Sequence, residues 1–154
     1  MRELEAILSQ YDDTMHGQAW YGDPVWKILD GVDAQCAAAR PIKEAHSIWQ
    51  LVMHMQFWET VAVQRTSAPT TPDERLNFPD TPAADEERWQ ETLKRFRESN
   101  HEFRNAILKL DPAKLDDKTP GGKYSFRWEM CGVIQHHIYH AGQIALLKKA
   151  YAAG

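Results

Sequence analysis

Apolar residues recur along this chain at helical spacing from end to end, and no segment shows the period-two alternation of a half-buried strand. That pattern restricts the fold to packed helices and predicts an all-α protein. Leu4, Ile7, Leu8 and Tyr11 follow i, i+3, i+4, i+7, which predicts a first helix of about four turns ending near His16-Gly17. Asp23-Pro24 predicts a short second helix, with the aspartate as cap, the proline in the first turn, and Val25, Trp26 and Leu29 turned inward. The Ala-rich residues 34–39 add a further turn before Pro41. Ser47 and Gln50 have the spacing of a capping box, and the breaker-free IWQLVMHMQFWETVAV behind them predicts a long helix to about Gln64. Its broad apolar face carries Ile48, Leu51, Val52, Met55, Trp58 and Ala62.

Pro69, Pro72, Pro79 and Pro82 make residues 67–82 a long surface connection, of the kind that crosses a fold or borders a site. Thr81-Pro82 is the expected start of the third long helix, with Asp85, Glu86 and Glu87 complementing the dipole in its early turns. Trp89, Leu93, Phe96, Phe103, Ile107 and Leu110 mark its buried stripe, which Asn100 interrupts either as a buried polar contact or as an edge position. Asp111-Pro112 stops that helix, Gly121-Gly122 turns the chain, and a last helix is expected from Ser125 or Phe126 to Tyr151. Four long helices, with one long connection between the second and third, predict a four-helix bundle, and residues 1–154 read as a single domain.

Charge and composition exclude several functions. The net charge is −4 and no Lys/Arg-rich block occurs, so neither nucleic acid nor an anionic membrane surface is an expected partner. No apolar run approaches the ~20 residues that span a bilayer. Glu3 and Glu5 fall where a secretory signal would be apolar. Cys36 and Cys131 are far apart and lack metal-ligand spacing; they read as small buried hydrophobes in a reducing, cytoplasmic setting. The six tryptophans read first as packing.

The chemistry concentrates in IQHHIYHAGQ, residues 134–143, where His136, His137 and His140 crowd one stretch of helix. His136 and His140 stand at i, i+4, and His137 and His140 at i, i+3; either pair can offer two imidazoles to one ion. The helical wheel does not choose between the pairs, and both contain His140. A third ligand must come from a facing helix. His54 is the natural candidate, at the margin of an apolar face with no capping role to explain it. Three neutral imidazoles leave coordination positions open for water or substrate, and suit zinc, nickel, iron or copper. His16, His46 and His101 read as packing, capping or solvent-facing histidines. Glu59 falls inside the apolar arc of its helix, roughly 140° around from His54. An ion pair to a neighbouring helix is its expected role, with general base as the outside candidate. Glu129, near the last helix's start, is explained by the dipole.

These residues resemble a family. AHSIWQLVMHMQFWE followed by GVIQHHIYHAGQIALLKK, with WYGDPVWKIL near the start, is similar to the DinB/YfiT-like superfamily of bacterial proteins, four-helix bundles with a three-histidine metal site. The resemblance implies His54 as the mid-helix ligand, and His136 with His140, ahead of Ala141-Gly142-Gln143, as the pair. His137 is left as a packing residue or one supporting the ligands. It further implies a zinc or nickel ion, a small-molecule substrate, and either S-transfer with a low-molecular-weight thiol cosubstrate or hydrolysis, in a homodimer. The contrasting expectation is a non-catalytic helical binding or dimerisation module with a structural or vestigial site. In that case exposed aromatics among Trp20, Tyr21 and Trp128 would line a cleft or dimer face.

Overall fold

The computed structural model describes residues 2–81 and 83–154. It is all-α: α1 (Arg2–Met15), α2 (Val25–Leu29), α3 (Ala34–Ala38), α4 (Ile48–Arg65), α5 (Glu86–Lys109) and α6 (Phe126–Ala153), with no strand among the described residues. Short 3-10 turns at Glu74–Leu76 and Pro112–Lys114 punctuate the connections. The four long helices are α1, α4, α5 and α6. Both α4 and α1 pack against α5 and α6, so the four close around one core filled by Trp49, Trp89, Phe96, Phe103, Met55 and Ile144.

Helix starts follow side-chain chemistry. Ser47 Oγ accepts from the Gln50 N–H at 3.2 Å while Gln50 Oε1 accepts from the Ser47 N–H at 3.3 Å, the reciprocal box that opens α4. Two expected starts are corrected. The third long helix begins at Glu86, because the Asp85 carboxylate accepts from the Arg88 N–H and caps it there. The expected start at Thr81-Pro82 is too early: Thr81 is not helical, and Pro82 lies outside the described residues. At the second helix Pro24, not Asp23, occupies the cap position, and Asp23 pairs with Lys27 at 2.7 Å instead.

The core holds a polar layer that the apolar patterning does not announce. Glu59 of α4 is fully buried. Its Oε1 accepts from Tyr11 Oη (2.6 Å), Asn100 Nδ2 (3.0 Å) and His137 Nε2 (2.9 Å); its Oε2 accepts from Ser99 Oγ (2.6 Å) and Asn100 Nδ2 (2.9 Å). The expected pairing with a neighbouring helix is met by His137 of α6, and hydroxyls and an amide from α1 and α5 add to it around the same carboxylate. Asn100 takes the buried of its two expected roles, its Oδ1 accepting from Trp26 Nε1 at 2.9 Å. Glu129 does more than answer the dipole: it is buried and accepts from Arg65 of α4 at 3.1 Å, tying the first turn of α6 to the end of α4. With His137 pointed at Glu59, α6 is rotated so that His136 and His140 flank the α4 side.

Candidate metal centre

His54 from the middle of α4 meets His136 and His140 from α6. His136 Nε2 lies 2.8 Å from His54 Nε2 and 3.0 Å from His140 Nε2. One ligand nitrogen from each of the three falls within 4.8 Å of the others, an arrangement that fits a metal site. His54 and His140 are 6% exposed, so the cluster sits just under the surface rather than deep in the core. Of the two pairs that spacing left open, the structure brings His136 and His140 together with His54 and sends His137 to Glu59. His16, His46 and His101 are exposed and not part of the trio.

The donor set is compatible with a divalent metal ion. Burial lowers the pKa of all three rings. For His136 it is pushed down to about 2, burial adding to the repulsion of His140, His137 and His54. For His140 it falls to about 4, burial outweighing the opposing hydrogen bond that the ring donates to Gln143 Oε1. Neutral imidazoles are what a divalent ion needs, since a protonated nitrogen has no lone pair to give. Zn–N bonds of about 2.0–2.1 Å would place ligand nitrogens roughly 3.3 Å apart, a few tenths of an ångström wider than His136 Nε2 stands from either of the other two.

Partners behind the rings orient them. His140 Nδ1 lies 2.6 Å from Gln143 Oε1, one turn along α6. His54 Nδ1 faces Asn77, at 2.7 Å from its Oδ1 and 3.1 Å from its backbone oxygen. The Phe78 ring stacks on His54 at 3.9 Å and, on its other face, on His46 at 3.8 Å. His136 Nδ1 is buried without a partner among the described residues. Asn77 and Phe78 were not foreseen: they sit in the proline-punctuated connection, where no periodicity singles out a residue. Gln143 was visible only as part of the family motif.

Glu59, the outside candidate for a general base, is placed in the core beside His137 rather than beside the three converging nitrogens. Trp20, Tyr21 and Trp128 are all exposed, Trp128 stacking on Tyr124 at 3.7 Å. Cys36 and Cys131 are free, the first buried and the second half-buried. No helix of the described residues is long and apolar enough to cross a membrane.

A family model described as the DinB superfamily matches residues 22–144, a span that takes in every residue of the site. Comparison with characterised proteins and with solved structures finds no match. The chain belongs to the DinB superfamily.

Proposed function

We propose that this DinB-superfamily chain is a metal-dependent enzyme in which His54, His136 and His140 hold one zinc or nickel ion and act on a small molecule. The observation that carries the reading is the convergence of three Nε2 atoms from two helices, two on buried rings and one on the half-buried ring of His136. A divalent ion held by three imidazoles supplies a Lewis acid with open positions, able to hold a thiol as thiolate or to lower the pKa of water. The chain's own part is to present three lone pairs, to keep the rings unprotonated by burial, and to fix two of them through Asn77 and Gln143. S-transfer from a low-molecular-weight thiol cosubstrate and hydrolysis are the two forms of this chemistry.

Incubating zinc- and nickel-loaded protein with alkyl halides and epoxides, each with a panel of low-molecular-weight thiols, separates them from simple ester and amide hydrolysis. Turnover that needs both metal and thiol supports the transferase form, and metal-dependent turnover without thiol supports the hydrolase form. Neither activity across the panel, with metal bound, would count against an enzyme. A helical binding or dimerisation module is the second reading, and one observation favours it. Trp128, Tyr139 and Leu146 of α6 are 53%, 65% and 62% exposed along one side of the helix. Such an apolar stripe suits pairing with a second copy, so a homodimer is proposed under either reading. Sedimentation of wild-type protein against Leu146→Glu tests it.

A further inference from the structure

The connection between α4 and α5 returns to α4 at Asn77, and every polar atom of that side chain is engaged. The Trp58 indole N–H, which can only donate, reaches Asn77 Oδ1 at 3.0 Å. The Glu74 carboxylate accepts from Asn77 Nδ2 at 3.0 Å. An obligate donor on one side and an acceptor on the other leave the amide one orientation. Both Asn77 atoms that face His54 Nδ1 are then oxygens, the side-chain one at 2.7 Å and the backbone one at 3.1 Å. A ring nitrogen between two acceptors carries the proton, so the lone pair of His54 lies on Nε2, the atom turned to His136.

We propose that Asn77 is a positioning residue that selects the ion-binding tautomer of His54, a proposal that rests on the metal reading above. Trp58 and Glu74 orient Asn77, and Asn77 orients His54. Phe78, the next residue, sets the tilt of the same ring by stacking on it with an interplanar angle of 11°. His140 takes its orienting partner from its own helix, and His136 has none among the described residues. The connection therefore supplies the ligand set with an orientation that α4 cannot provide for itself.

The test uses the full chain with zinc as probe, comparing wild type, Asn77→Ala and Asn77→Asp. Asn77→Asp is made in a Glu74→Gln background, so that its second oxygen meets an amide donor in place of a carboxylate; aspartate then keeps an oxygen toward both His54 and Trp58, and alanine removes it. Competition with a chromogenic chelator is expected to show zinc affinity about 10–100-fold weaker in Asn77→Ala, the usual cost of losing a partner behind a ligand, with Asn77→Asp close to wild type. In metal-free protein, long-range 1H–15N correlations are expected to show His54 protonated on Nδ1 in wild type and Asn77→Asp, and a tautomer mixture in Asn77→Ala. A merely structural role would not be rescued by aspartate and would not move the tautomer. Wild-type affinity in Asn77→Ala, an Asn77→Asp as weak as the alanine variant, or an Nε2-protonated His54 in wild type would each overturn the proposal. Wild-type protein that takes up no zinc at all would overturn it together with the metal reading, which keeps the two failures distinct.

Discussion

Replacing Glu59 tests the polar layer that sets how α6 sits against α4. In Glu59→Ala four buried donors lose their acceptor: Tyr11 Oη, Ser99 Oγ, Asn100 Nδ2 and His137 Nε2. Two have a weaker fallback, Tyr11 in the Asn100 carbonyl at 3.3 Å and Ser99 in the Gln56 carbonyl at 3.5 Å. Asn100 cannot turn its amide to compensate, because the Trp26 N–H holds its Oδ1. Two donors fully orphaned, with two partly so, cost about 3–5 kcal/mol. At roughly 2–4 °C per kcal/mol for a chain near this size, Tm falls by about 6–20 °C. Glu59→Gln keeps one acceptor oxygen but sets its own NH2 against the donors, of which the hydroxyls can turn round to accept and the His137 ring can do so by carrying its proton on Nδ1. Its loss is smaller, roughly 1–3 kcal/mol. Thermal and urea unfolding of metal-free protein measure both. Variants as stable as wild type would refute the claim that this carboxylate is the acceptor at the centre of the core.

Further outcomes follow from the same contacts. The pKa values of His136 (about 2) and His140 (about 4) lie below the unfolded value near 6.5, so between those limits the unfolded chain binds more protons. Metal-free stability is therefore fully present above about pH 6.5 and is lost as pH falls toward the folded values, with a slope well under the ~1.4 kcal/mol per pH unit per histidine that an unscreened site would give. Unfolding midpoints that stay flat from pH 7.5 to 5 would contradict this. Gly121 has φ +65°, and a Cβ there would meet Pro69 Cβ at 2.7 Å; Gly121→Ala is expected to cost about 1 kcal/mol or more, read by urea melts. Ser47→Ala removes half of the box that opens α4, the helix of His54, and is expected to cost about 1 kcal/mol in the same assay.

The helices were legible where one face is apolar and a cap precedes them, as at Ser47 and in the stripe from Trp89 to Ile107. The start of α5 was misread because Pro82 is a general helix-start signal, whereas the capping aspartate three residues later decides the boundary locally. The site was two-thirds legible from the spacing of His136, His137 and His140, but spacing ranks neither pair. Rotation of α6 decides between them. That rotation is tied to a buried carboxylate whose partners lie on three other helices, as far as 78 residues away for His137, and no local pattern encodes them. Asn77 was illegible for the same reason: its role exists only once the connection folds back over α4.

The most direct test of the metal centre is the ion content of protein purified without an affinity tag and reloaded with zinc or nickel. One equivalent per chain in wild type, in His16→Ala and in His101→Ala, and its loss in His54→Ala, His136→Ala and His140→Ala, is the predicted result. Retention of a full equivalent by His54→Ala would contradict it, because the three-histidine centre depends on the one ligand that α4 contributes.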